Sequence, residues 1–160
     1  KARSVGRDEQ VSTPPELIAY FAGFFDGEGC AQLTRHNDAT YPRVCVKVSV
    51  GQVDPRPLRM LQELYGGRLS MYPNGTSGNG GYARQPFTEW CLVGKKACIF
   101  LTAILPNLIV KKEQAELCLA FSRLPWRWKV GWGSARSPEQ AAIDMDYWRK
   151  VKSAKRVYHG

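Results

Sequence analysis

Ala19, Gly23 and Gly27 recur every four residues inside an apolar segment carrying Leu17, Ile18, Tyr20, Phe21, Phe24 and Phe25. On a helix that spacing aligns one face, and with Ala22 beside it the face is almost bare of side chains. Glycine inside a helix costs about 0.5–1 kcal/mol relative to alanine, so such a stripe needs a packing reason, and close approach of a second helix supplies one. Thr13, Pro14 and Glu16 read as a capping box that starts this helix, and the glycines at 27 and 29 release the chain at its end. Asp26 and Glu28 fall at that C-terminal end, where the helix dipole disfavours carboxylates by ~0.3–1 kcal/mol. The bare segment admits two readings: solvated turn acids, or a site at which carboxylates from two packed helices meet around divalent cations.

The rest of the chain divides at proline and glycine. Residues 43–50 alternate, with Val44, Val46, Val48 and Val50 on one face and Arg43, Cys45, Lys47 and Ser49 on the other, which predicts a half-buried strand with a polar, cationic face. Asp54-Pro55 opens a helix carrying Leu58, Leu61 and Leu64, closed by Gly66-Gly67. Strands are expected over 68–72 and 87–93, joined by a glycine-rich hairpin tip. Helices follow over 95–105 and 111–124, the latter with Leu117, Phe121 and Leu124 on one stripe. The tryptophan-rich stretch 126–133 reads as core or lid packing, and a second capping box, Ser137 to Gln140, launches a helix with Ala141, Met145, Trp148 and Val151 inward. The order is helix, two strands, helix, two strands, then helices: an α+β domain with an antiparallel sheet. One domain is expected over 13–152, with a basic flexible arm over 1–12 and a basic tail over 153–160.

Charge narrows the partners. The 160 residues hold 23 Lys+Arg against 14 Asp+Glu, a formal net charge of +9, and nucleic acid leads the partners for a compact basic domain. The five cysteines are scattered, with no C-x-x-C pair, and neither His36 nor His159 has partners at ligand spacing, so zinc is not expected. No charge-free run reaches the ~18 residues a membrane span needs. The first ten residues lack the apolar core of a secretory signal, so an intracellular protein is expected.

The nine residues Phe-Ala-Gly-Phe-Phe-Asp-Gly-Glu-Gly at 21–29 closely resemble the signature of the LAGLIDADG homing endonucleases, with Ala22, Gly23, Asp26, Glu28 and Gly29 agreeing outright or acid for acid. Phe21 replaces a leucine. The resemblance extends over nearly 13–151 and includes one motif copy. It implies the αββαββα fold of that family with an additional C-terminal helix, an antiparallel DNA-binding sheet, and a homodimer of the intron-encoded type. Ala19, Ala22, Gly23 and Asp26 would then line the dimer interface. By the same resemblance Glu28 is the catalytic carboxylate holding Mg²⁺ (or Mn²⁺), with the Gly27 carbonyl beside it and no organic cofactor. Gln52 matches the residue that orients the attacking water, Arg56 the water network or a phosphate, and Lys111 the lysine near the scissile phosphate. Without the family, Gln52 is an exposed turn residue and Lys111 a surface lysine.

A two-stranded ribbon fits the DNA major groove. If the strand after Glu28 alternates, Cys30, Gln32, Thr34 and His36 share a face, beside Arg43, Cys45, Lys47 and Ser49. Ser70, Tyr72, Glu89 and Cys91 are candidates on the later hairpin. The expected activity is sequence-specific double-strand cleavage of a long pseudo-palindrome, on the order of ten base pairs per half. The rivals are an RNA-binding intron maturase and a non-cleaving DNA-binding regulator on the same fold.

Overall fold

The computed structural model describes residues 13–36, 43–73, 85–126 and 136–155. The expected arm, the glycine-rich tip, the tryptophan-rich stretch beyond Trp126 and the end of the tail lie outside them. The elements are α1 (Pro15–Glu28), β1 (Gly29–His36), β2 (Arg43–Gln52), α2 (Arg56–Tyr65), β3 (Arg68–Tyr72), β4 (Phe87–Val93), α3 (Gly94–Ile104), a 3₁₀ turn (Leu105–Asn107), α4 (Lys112–Ser122) and α5 (Pro138–Ala154). This is the expected αββαββα order with further helices. No described helix is long and apolar enough to cross a membrane.

The strands form one antiparallel sheet in the order β1-β2-β4-β3, which leaves β1 and β3 at its edges. Period-two alternation separates its faces. Ala31, Leu33, Val44, Val46, Val48, Val50, Trp90 and Leu92 pack inward with Phe21, Phe25, Leu58, Leu61, Phe100, Leu101 and Phe121 from the helices. Phe100 of α3 is the hub, meeting the rings of Phe25, Tyr65 and Trp90 edge to face at centroid separations of 5.5, 5.1 and 5.1 Å. The buried Trp90 indole donates Nε1–H to the Gly66 carbonyl at 2.8 Å, the partner a buried indole needs. That contact draws the α2–β3 turn onto β4. Gly67, at φ +97°, comes so close that a Cβ there would stand 2.7 Å from the Cys91 carbonyl oxygen.

Local signals at the helix ends divide. Ser137 and Gln140 exchange both bonds of their capping box at 3.2 Å. The box expected at Thr13 does not form: Pro14 is the N-cap and Pro15 the first helical residue. Pro14 precedes a proline, which pushes it to extended backbone (ψ 142°) and starts the helix one residue later than expected. On α4 the buried residues are Gln114, Ala115, Cys118, Leu119, Phe121 and Ser122. The expected stripe of Leu117, Phe121 and Leu124 does pack on the core, and the buried face extends further to 115, 118 and 119 because α4 is packed by α3, α5 and β1 together. The helix α5 extends to Ala154, so the first residues of the expected tail are helical. Its start is anchored by the buried Asp144, which accepts from Trp126 Nε1 at 3.1 Å and pairs with Arg136 at 3.5 Å.

Helix α1 passes into β1 with no intervening loop, and Gly29 makes this possible. A Cβ on Gly29 would stand 2.2 Å from Cδ2 of Phe25, whose ring is fully buried. We therefore expect Gly29→Ala to destabilise the fold by about 1–3 kcal/mol, the usual range for overpacking, measured by urea denaturation. Gly23→Ala meets open space and is expected to leave the monomer unharmed or slightly more stable.

Candidate nucleic-acid and metal site

Two acids close α1, and the structure separates their roles. Asp26 accepts the backbone N–H of Ile109 on Oδ2 at 2.7 Å and that of Lys111 on Oδ1 at 2.9 Å. Those amides belong to the N-cap residue of α4 and to the turn before it, so the carboxylate stands at the electropositive end of that helix without capping its first turn. In return the Lys111 ammonium donates to the Asp26 carbonyl oxygen, at the electronegative end of α1. An acid at a C-terminus and a lysine at an N-terminus each offend the helix dipole alone, and together they satisfy each other's helix. Asp26, expected at the dimer interface, therefore has its carboxylate spent within the chain.

Glu28 is the last residue of α1, exposed, and makes no hydrogen bond or ion pair among the described residues. Gly27 beside it is exposed, with nothing within 4 Å of an added Cβ. Burial holds the Lys111 ammonium below the ordinary lysine range; Asp26, Cys30 and Glu28 pull it upward, and the charge of Lys155 pushes it further down. Those groups therefore lie within electrostatic reach of one another at the α1–β1 junction.

The register puts Gln52 at the same end of the sheet, two residues past Val50, the partner of Gly29. Its Oε1 accepts from Val53 N–H at 2.8 Å, and its amide NH₂ has no hydrogen-bond partner among the described residues. Arg56 is engaged elsewhere. Its Nε reaches both Asp54 oxygens at 3.0 and 2.9 Å and its Nη2 reaches Oδ2 at 2.5 Å, which braces the β2–α2 turn. The hydrogen bonds from Arg56 hold the Asp54 carboxyl down to about 2.

On the exposed side of α1, Ala19, Tyr20, Gly23 and Gly27 face solvent, with the Tyr20 ring stacked at 6.2 Å on Phe24. Ala22 departs from the expected stripe: it is fully buried in the chain's own core and offers no surface to a partner. It shares the buried side of α1 with Phe21 and Phe25.

The outer face of the sheet collects the expected readers. Cys30 lies opposite Ser49, Gln32 opposite Lys47, Thr34 opposite Cys45 and His36 opposite Arg43. Ser49 lies opposite Cys91, and Ser70 opposite Glu89. Residues directly opposite share a face, so all twelve expected positions lie on this one side. Thr34 spends its hydroxyl on the Cys45 carbonyl at 3.3 Å, and Tyr72 stacks on Phe87 at 4.9 Å. Arg68, opposite Cys91, joins Lys47 here and was missed, although its parity with Ser70 and Tyr72 marks it in the sequence. Burial raises the Cys91 thiol above its ordinary value, with Lys47 and Arg68 pulling the other way, so it stays neutral in the middle of the face.

Compared with known proteins, the sequence matches no family model and no curated protein. Solved structures resemble it in fold. The homing endonuclease I-CvuI, in complex with the I-CreI target, superposes with a TM-score of 0.55 at 23% identity over 84% of this chain and 94% of that one. The LAGLIDADG homing endonuclease I-GzeII, in complex with its DNA target, gives 0.59 at 16% identity over 88% of this chain and 48% of that one. The archaeal intron-encoded homing endonuclease I-Vdi141I, complexed with DNA, gives 0.51 at 14% identity over 86% and 96%. The chain has the LAGLIDADG homing-endonuclease fold.

The division between Asp26 and Glu28 is open to a stability measurement. We expect Asp26→Asn to cost about 1–3 kcal/mol in chemical denaturation, because an amide accepts only one of the two N–H groups and faces the other with a donor. Glu28→Gln is expected to change stability by no more than about 0.5 kcal/mol, as an exposed substitution without partners does.

Proposed function

We propose that this chain is one protomer of a homodimeric, magnesium-dependent endonuclease that cuts both strands of duplex DNA at a long, specific site. The observation carrying this reading is Glu28, an exposed carboxylate without a partner among the described residues, where a side-chain-poor helix meets a cationic sheet face. The coverage of I-CvuI and I-Vdi141I nearly end to end, against about half of I-GzeII, supports a chain that works as a pair.

No group of three or more potential metal ligands occurs among the described residues. That donor set still suits magnesium, which is bound through one or two carboxylates while keeping waters and taking substrate phosphate oxygens. Glu28 would hold the ion with the Gly27 carbonyl beside it, and Asp26, its oxygens committed, would not. When bound, magnesium supplies an activated water and stabilises charge on the oxygens of the phosphodiester. Gln52 orients the attacking water through its amide NH₂ group. Lys111 keeps two N–H donors beyond the one on Asp26 and offsets the charge that develops on the phosphate. On the sheet, Gln32, His36, Arg43, Lys47 and Ser49 read base edges, while Thr34, Cys45, Ser70, Tyr72, Glu89 and Cys91 shape the surface around them. Arg56 acts through Asp54, holding the turn that carries Gln52.

The test is cleavage of a partly randomised duplex library, seeded with intron-lacking genes, with and without Mg²⁺. The expected result is metal-dependent cutting at one long site, with a loss of at least about 100-fold in Glu28→Gln while DNA binding persists. Tight, metal-independent binding without cutting by the parent chain would replace the endonuclease reading with a non-cleaving regulator, and intron RNA would then be assayed for maturase action.

Dimerisation through α1 has its own readout. A Cβ at Gly23 has no described neighbour within 4 Å, so Gly23→Leu is expected to keep the thermal midpoint of the monomer while shifting the sedimentation coefficient from dimer to monomer. A Gly23→Leu protein that sediments as the parent does would remove α1 from the interface.

A further inference from the structure

The end of α5 delivers a second lysine to the same corner. Val151 and Ala154 are buried against the core, and the buried Gln114 of α4 donates Nε2–H to the Ala154 carbonyl at 3.4 Å, which ties the helix end to α4. From this anchored position Lys155 passes the edge strand β1 and places Nζ 2.9 Å from Cys30 Sγ and 3.4 Å from Gln32 Oε1. Both side chains belong to the outer, solvent-facing side of the sheet, and Cys30 stands two residues from Glu28. The neighbouring Lys152 lines the same recess with Gln32 and Lys155, its ammonium 4.7 Å above the Trp148 ring.

Neither partner of Lys155 carries a formal charge, and the side chain makes no ion pair among the described residues. A thiol and an amide oxygen are weak acceptors for an ammonium, and a phosphate oxygen is a strong one. Lys111 bonds the last turn of α1 and Lys155 the first residues of β1, so two ammonium groups flank the junction that carries the exposed Glu28.

We propose that Lys155 binds a backbone phosphate of duplex DNA at the α1–β1 corner, adjacent to the phosphate served by Lys111. The proposal rests on the functional reading above for the use of that phosphate in cleavage, and on the geometry alone for the contact. Exchange of Cys30 and Gln32 for phosphate frees the Gln32 amide to meet a base edge, so the same lysine couples backbone docking to readout.

The experiment measures the salt dependence of binding to a mixed-sequence duplex of about 30 base pairs, where each phosphate contact contributes about 0.9 to the slope of log K against log salt. Lys155→Met keeps the apolar stem and removes the charge. It is expected to lower the slope by about 0.9 per protomer with an unchanged thermal midpoint, Lys155→Arg to keep it, and Lys150→Met, whose parent ammonium is already paired with Asp146 at 2.7 Å, to match the parent. On a target recovered from the cleavage library, single-turnover cutting by Lys155→Met is expected to fall by about tenfold or more. An unchanged slope in Lys155→Met overturns the contact whatever the cleavage assay shows. A lowered slope in a parent chain that cuts nothing would leave the contact standing and end the endonuclease reading instead.

Discussion

Asp26 and Lys111 stand 85 positions apart and complete each other's helices. The carboxylate takes two amides just before α4, and the ammonium takes one carbonyl in the last turn of α1, so charges of opposite sign meet the two helix ends at one joint. Charge-assisted bonds of this kind are about twice as strong as neutral ones. The joint fixes where α1 stops, and with that where Glu28 projects and where β1 begins. It also draws Lys111 to the carboxylate end of the sheet. Every functional assignment at this corner depends on it.

The sheet supplies the second constraint. Its inner face is closed by valines, Trp90 and the Phe100 cluster, so the pairing register cannot slip without carrying an entire hydrophobic set into water. Polar and cationic residues are held in rows on the other face as a consequence. Gly29 joins the two constraints: only a glycine lets the strand leave the helix directly over the Phe25 ring, and a loop at this point would detach Glu28 from the sheet.

Much of this was legible in the residues. The alternation over 43–50 announced both faces of β2, and the outer-face partners on β1 followed from the same period. Asp26 and Glu28 were visible as acids in the wrong place on a helix, and Lys111 as a lysine in the wrong place on another. Their mutual compensation was not visible, because neither offence names its partner. Gln52 and Arg56 were expected at a water and a phosphate; the local bonds they make to Val53 and Asp54 were not visible, a competition between side chain and neighbouring chain that spacing does not resolve. Ala22 was read as part of the bare stripe because it is small; the helix rotation set by Phe21 and Phe25 turns it inward. Lys155 fell within an expected tail, since nothing nearby signals that α5 docks along an edge strand.

The sequence by itself determined the element order, the two faces of the sheet and the unusual end of α1, because each is written in periodicities and breakers that act over a few residues. Tertiary structure alone decided which acid is consumed and which remains, which lysines meet, and which side of α1 is left bare. Those outcomes follow from contacts between groups more than eighty positions apart, such as Asp26 with Ile109 and Cys30 with Lys155. Local chemistry specifies that a charge needs a partner; only the packing of helices on the sheet selects which one it finds.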